Sequence, residues 1–175
     1  MTARSGARPT LRPVARADAS GVVACLGDLE VARNLVRVPV PYTLEHANEW
    51  LDRVEADAGE RNQTLAIDAG GFCGVVNIVA GEDGPLLSYF LLRSHWGRGI
   101  MGEAVDAAIK LYFDTRPGDR ILSAILEGNV ASLKLQKRIG FVQTGSSMLY
   151  CHPREREVKS IATELSRSDY EKRAP

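Results

Sequence analysis

The chain has 175 residues, 45% of them apolar and 25% charged, which suits one soluble domain with a buried core. Its 22 basic and 22 acidic side chains cancel, which argues against a protein that coats nucleic acid. No uncharged apolar run reaches the roughly 18 residues of a spanning helix, and Met1–Pro9 has no apolar stretch of the kind a secretory signal needs. The three cysteines, Cys25, Cys73 and Cys151, are far apart and form no CxxC pair. The reading is therefore a reduced, cytoplasmic protein with no metal site, no membrane partner and no nucleic-acid partner.

In chain order, residues 1–9 read as a flexible tail and Leu11–Val14 as a short extended segment. Asp18 offers an N-cap for a helix over Ala19–Leu26. Val31–Val36 reads as a second helical piece, stopped ahead of Pro39 and Pro41. Thr43 caps a clearer helix, Leu44–Ala58, with Leu44, Ala47, Leu51 and Val54 as its apolar stripe. The period then changes. Thr64–Asp68, Phe72–Ala80 and Leu86–Leu92 are short apolar runs separated by Gly-rich turns, which predicts two successive hairpins. Gly99–Asp114 has helical periodicity, Arg120–Leu126 reads as a buried strand, and Asn129 caps a helix over Val130–Ile139 that ends at Gly140. Phe141–Val142, Ser147–Cys151 and Val158–Leu165 read as extended, and residues 169–175 as a second tail. The domain thus spans 10–168. Its fold class is α+β: a mostly antiparallel twisted sheet of six to seven strands, with a βαβ crossover and flanking helices. The last strands could pair across a homodimer.

Two segments carry chemistry. Ser88–Ala104 runs from a buried strand through a Gly-containing turn into a helix. Unpaired N–H groups at a helix start attract anions, and glycines admit a phosphate close to the backbone. Gly97, Gly99 and Gly102 are thus candidates for a pyrophosphate cradle, with Arg98 adding charge. The Lys-Ser/Thr end of a Walker A loop is missing, and a dinucleotide fold would start a parallel sheet rather than follow two hairpins. A ligand-free turn is the alternative. The second segment, Glu127–Ser132, places Asn129 and Ser132 as N-cap and N3 of the next helix, either as plain capping or as lining of the same cleft.

The sequence W-G-R-G-I-M-G-E-A, followed about twenty-five residues later by N-V-A-S-L-K-L-Q-K-R-I-G-F, resembles the GNAT superfamily of acetyl-CoA-dependent N-acetyltransferases. With L-R-P-V-A-R-A-D-A and V-P-V-P-Y-T-L-E-H-A-N-E-W-L upstream, the chain is most similar to the branch that acetylates the N-terminal alanine or serine of ribosomal proteins. The likeness runs from about Leu11 to Leu165. It implies a GNAT-like fold, acetyl-CoA as donor with CoA as product, and a primary amine as acceptor, of an identity the sequence leaves open. The family loop Arg/Gln-x-x-Gly-x-Gly/Ala falls on Trp96–Met101, with Gly99 matching, Trp96 in place of the basic or amide residue and Met101 in place of the small one.

The resemblance further implies that the amides of Arg98, Gly99, Ile100, Met101 and Gly102 hold pyrophosphate. Tyr89–Arg93 should splay from Arg120–Leu126, so that pantetheine lies along Leu91, Leu92 and Arg93. Asn129 meets the pantetheine region, and Ser132 faces the thioester sulfur. A backbone N–H near Leu91 would stabilise the oxyanion. Where the ribosomal-protein branch carries a candidate Glu base, this chain holds Tyr150, so Tyr150 and Glu127 are the catalytic candidates beside Ser132. His95 is a further possible neighbour of the cofactor. A non-catalytic acyl-CoA-binding or sensor module is the alternative reading.

Overall fold

The computed structural model describes residues 8–57, 59 and 62–173. Seven strands form one sheet in the order β1-β2-β3-β4-β5-β7-β6: β1 (Thr10–Pro13), β2 (Gln63–Asp68), β3 (Phe72–Ala80), β4 (Pro85–Leu91), β5 (Arg120–Leu126), β6 (Val142–Cys151) and β7 (Arg156–Ser166). Every neighbouring pair is antiparallel except β4 and β5, which run parallel. This is the expected mixed sheet at its upper strand count. The β4–β5 connection must cross the sheet, and α4 (Ile100–Thr115) makes that crossing.

The helices cover the sheet in two layers. On one face Ala104, Val105, Ala108, Ile109, Tyr112 and Phe113 of α4, with Ile139 at the end of α5 (Val130–Ile139), pack on Val76, Ile78, Leu87 and Leu91. On the other, α1 (Ala19–Leu26), α2 (Leu29–Ala32) and α3 (Leu44–Ala56) form a second cluster that receives Phe72, Phe90 and Leu92. Strand alternation explains the split: Leu87, Tyr89 and Leu91 face the first layer and Phe90 the second, while Leu92, just past the strand, touches both. A small third cluster, Leu126, Cys151 and Val158, lies under Val36 and Leu149.

Two segments differ from their sequence reading. The second helical piece is a single turn, Leu29–Ala32, started by Asp28, whose carboxylate accepts the Glu30 N–H at 2.9 Å. It stops early because the carbonyls beyond it have other partners. Arg154 Nε donates to the Arg33 carbonyl at 2.7 Å, and the His152 N–H donates to Val36 at 3.0 Å. Residues 169–173 do not form a tail. Ser166 caps α6 (Arg167–Glu171), Tyr170 packs on Phe113 with ring centroids 5.6 Å apart, and its hydroxyl donates to the Asp106 carbonyl at 3.1 Å. The anchor is Arg167, whose guanidinium donates to the carbonyls of Phe113, Arg116 and Gly118. Residues 1–7 of the expected N-terminal tail, and 174–175, lie outside the described residues. The two extended pieces around residues 141–151 are one strand, β6, with an extra residue at Thr144 where its pairing with β7 shifts.

The start of the chain is fastened by a nearly buried carboxylate. Arg12 donates to both oxygens of Asp18 at 2.7 and 2.8 Å, and the Ala15 N–H adds a third bond at 2.8 Å. The Arg12 guanidinium holds the Asp18 carboxyl below the ordinary Asp range. A depressed native pKa gives stability that is present above the unfolded value and lost as pH falls through the folded one. Asp18→Asn is expected to cost about 1–2 kcal/mol in urea unfolding at pH 7, since Arg12 is partly exposed. The gap to wild type should narrow as pH drops below about 4, because wild type then loses the same charge.

Candidate active site

The site is an opening in the sheet. β4 and β5 are paired only at Leu86–Leu122 and Leu87–Ser123. Beyond that point β4 stays with β3 as far as Leu91, and β5 stays with β7 as far as Leu126, so the two strands diverge. The Leu92 N–H donates to the Cys73 carbonyl at 2.8 Å. Antiparallel pairing alternates, so the peptide groups of Tyr89 and Leu91 turn away from β3, into the gap. The cleft that results has a volume of about 860 Å³, within the range of small-molecule sites. Four arginines and two glutamates line it, which favours an anionic occupant.

The turn after β4 leads straight into the mouth of this cleft. Gly97 has φ 73° and Gly99, the N-cap of α4, has φ 81°, a conformation that side-chain-bearing residues rarely adopt. The first intrahelical bond runs from the Glu103 N–H to the Gly99 carbonyl, leaving the N–H groups of Ile100, Met101 and Gly102 without a helical partner. All three residues line the cleft. Gly102 serves a second purpose: a Cβ there would meet Arg138 Nη2 at 2.3 Å. The missing side chain lets the Arg138 guanidinium lie against the first turn of α4, beside those N–H groups.

From the other side, β5 delivers Glu127 to Ser132. Asn129 Oδ1 caps α5 by accepting the Ser132 N–H at 3.1 Å, so its amide nitrogen is the end left for the cleft. The buried Ser132 hydroxyl lies 2.6 Å from the Tyr89 hydroxyl across the gap. Thus Leu91, Trp96, Gly97, Gly99, Ile100, Met101, Gly102, Glu127, Asn129 and Ser132 are brought together around one cavity, with His95 at its edge.

Other sequence candidates are placed elsewhere. Leu92 packs between the two layers, Arg93 faces Asp28 at 4.0 Å, and neither they nor the exposed Arg98 line the cleft. Tyr150 is not brought to the site. It sits exposed on edge strand β6, its ring edge-on to His152 at 5.4 Å, because alternation turns Leu149 and Cys151 toward the protein instead. Glu127 lines the cleft, where its carboxylate accepts from Arg156 at 3.1 Å and its carbonyl from Arg154 at 2.9 Å. Burial pushes the Cys25 thiol up to about 12 and the Cys73 thiol up to about 11, which leaves both unreactive. Among the described residues no three His, Cys, Asp or Glu side chains gather as a metal site.

Four contributors had little or no sequence signal. Trp96 looked like a replacement for a phosphate contact, yet its indole N–H donates to the Leu91 carbonyl at 3.0 Å and fastens the turn to the end of β4. Trp96→Phe keeps the ring and removes that bond. It is expected to weaken binding of acetyl-CoA, the ligand that the sequence resemblance implies, several-fold by calorimetry, about the worth of one hydrogen bond. Arg138 could not be tied to Gly102 without the packing of α5 on α4. Tyr89 and Gln136, neither singled out as a site residue in the sequence, emerge as polar lining of the cleft.

A mixed sheet that opens beside a helix start, with its crossover helix supplying free N–H groups, makes a cleft suited to an elongated anionic ligand. Comparison with known proteins places the fold. The spermidine N-acetyltransferase of Vibrio cholerae, solved with CoA and spermine, superposes with a TM-score of 0.80 at 16% identity, over 93% of this chain and 98% of that one. The ribosomal-protein-S5-alanine acetyltransferase of Vibrio fischeri gives a TM-score of 0.78 at 20% identity, over 93% and 95%. Among curated sequences, the probable N-acetyltransferase YjcK of Bacillus subtilis is 26% identical over 120 residues, 64% of this chain and 66% of that relative. The match therefore spans just under two thirds of YjcK. The profile of the acetyltransferase (GNAT) domain matches residues 8–142, and the chain belongs to that family. No helix among the described residues is long and apolar enough to cross a membrane.

Proposed function

We propose that the chain is an acetyl-CoA-dependent N-acetyltransferase whose acceptor is a primary amine of low basicity, such as the α-amine of a peptide or protein. The observation that carries the reading is the junction of the three free α4 N–H groups with the divergent β4–β5 gap and Ser132. The N–H groups of Ile100, Met101 and Gly102, with Arg138, suit the pyrophosphate, and Leu91 and Asn129 suit the pantetheine amides. When bound, the thioester supplies an activated acetyl group. The Leu91 N–H, turned into the gap, is placed to hold the carbonyl oxygen as it gains charge, and Ser132 to hydrogen-bond the departing sulfur. Binding both partners in one cleft supplies orientation.

The acceptor class follows from the carboxylates. Glu127 is engaged by Arg156, and Glu30, the other acidic residue of the cleft, by Arg33 at 3.3 Å. A strongly basic ammonium would find no free carboxylate here to take its proton, whereas an α-amine is partly neutral at pH 7 already. The spermidine enzyme to which the chain is similar acts, by its name, on a polyamine. The arginine-rich cleft described above favours the amino-terminal alternative.

The test is calorimetric titration with acetyl-CoA, plain CoA and NADP, followed by transfer to free and N-blocked peptides. Acetyl-CoA binding without NADP binding, and transfer only to the free N-termini, is the expected result. Absence of acetyl-CoA binding overturns the reading. The engaged Glu127 also supports a second reading, an acyl-CoA-binding module without turnover, which binding with no CoA release on a wide amine panel would establish.

A further inference from the structure

Behind Ser132 lies a row of buried polar groups that neither the family motifs nor the acceptor argument uses. Ser123 Oγ is 3.0 Å from the Leu87 carbonyl, Gln136 Nε2 is 2.8 Å from Ser123 Oγ and 3.4 Å from the Tyr89 hydroxyl, and Tyr89 reaches Ser132 at 2.6 Å. Thr163 Oγ1 closes the row by donating to Gln136 Oε1 at 2.6 Å. Ser123, Gln136 and Thr163 are each less than 5% exposed.

The Leu87 carbonyl sets the direction at one end of the row. A carbonyl only accepts, so the Ser123 hydroxyl must donate to Leu87. Ser123 Oγ therefore accepts from Gln136, which puts the amide nitrogen of Gln136 on that side and its oxygen toward Thr163. The second N–H of Gln136 points at the Tyr89 oxygen, which leaves the Tyr89 proton available to Ser132. Relative acidity agrees, since a phenol is a far better donor than an aliphatic hydroxyl. The Ser132 hydroxyl, having accepted, has its own proton left for the cleft.

We infer that Leu87, Ser123, Gln136 and Tyr89 form a polarised hydrogen-bond chain that presents Ser132 to the cleft as an obligate donor, so that a thiolate held there is stabilised. The inference rests on the acetyltransferase reading and deepens it: Tyr89 and Gln136 are positioning residues that act through Ser132. Burial raises the Tyr89 pKa above its ordinary value, against the lowering effect of its hydrogen bonds to Ser132 and Gln136, which keeps the phenol protonated at working pH. No covalent step is involved.

The test reads the thiol and needs no acceptor. CoA is bound to wild type, Tyr89→Phe and Ser132→Ala, and its thiolate absorbance is titrated against a complex with a CoA analogue lacking sulfur. In wild type the bound thiol should titrate at least about one pH unit below free CoA, the size of a hydrogen bond to a charged group. Ser132→Ala should abolish that shift, and Tyr89→Phe, which keeps the ring, should remove at least half of it. The other charged or titratable side chains of the cleft, Glu30, Arg33, His95, Glu127, Arg138, Arg154 and Arg156, are common to all three proteins, so their influence cancels in the comparison. Thermal unfolding within a few degrees of wild type shows that the variants are folded. A thiol that titrates identically in wild type and Tyr89→Phe overturns the chain while leaving the acetyltransferase reading intact. Failure of wild type to bind CoA overturns that reading first, and this one with it.

Discussion

Gly99→Val is expected to abolish measurable acetyl-CoA binding, a loss of at least a hundredfold in Kd by calorimetry. The residue has φ 81° at the start of α4, where a β-branched side chain is strained by sterics alone. The backbone can respond in two ways, and both damage the site. If the backbone rotates to negative φ, the turn from Trp96 to Ile100 changes course and the N–H groups of Ile100, Met101 and Gly102 no longer converge. If it stays, a strain of about 1–2 kcal/mol persists and two added methyl groups stand at the mouth of the cleft that Gly99 lines. Stability should fall by a similar small amount, so a folded protein with no affinity is the expected phenotype. Binding that survives within threefold of wild type would remove this turn from the donor site.

At pH 7 the enzyme should prefer an α-amine to a lysine side chain by about two hundredfold in kcat/KM on otherwise matched peptides. The figure is the ratio of neutral fractions: an amine of pKa about 8 is about one tenth neutral at pH 7, and one of about 10.4 less than a thousandth. It rests on the proposal that the cleft carboxylates, Glu30 and Glu127, each paired with an arginine, do not take the acceptor's proton. The same argument predicts a kcat/KM for the peptide that rises tenfold per pH unit and levels near the peptide's own amine pKa. Replacing the terminal residue by one with a less basic amine should move that plateau down by the same interval. A plateau that ignores the acceptor's pKa would mean that a protein group sets the protonation state. Arg156→Gln would then be the variant to examine, since it frees Glu127.

Much of the architecture could be read from the chain because its periods are clean. The alternation in β2 to β4, the helical stripe of α4 and the Asn129 and Gly140 caps around α5 are local signals, and each fell within a residue or two of its place. Boundaries were lost where a distant contact overrode a local preference. α2 ends at Ala32 because Arg154 and His152, more than a hundred residues later, take the carbonyls that further turns would have used. The sequence predicts a strand ending at Leu165 and a tail over 169–175, and only the Ser166 bond to the Asp169 N–H and the packing of Tyr170 on Phe113 turn Arg167–Glu171 into α6.

The site divides along the same line. Backbone-mediated features, the turn at Gly99 and the cap at Asn129, follow from residue type and spacing. The roles of side chains do not. Glu127 and Arg156 are 29 positions apart, and nothing short of the β5–β7 pairing brings them together. Tyr89 sits in the apolar run LLSYFLL, where a tyrosine reads as core until α5 is packed above it.

The sparse contact between β4 and β5 has a mechanical consequence. The sheet is two leaves, β1–β4 and β5–β7–β6, bound along a spine only two residue pairs long. Below that spine the leaves are held by what spans them: α4 and α5 packed across one face, and the Gln136 amide reaching toward Tyr89 on one leaf and Ser123 on the other. A molecule lodged in the seam becomes one more rivet between the leaves. The heat resistance of the folded chain is thereby tied to donor supply, rising by about 2.7 kcal/mol when the ligand stands at a hundred times its Kd and falling back as the pool is spent.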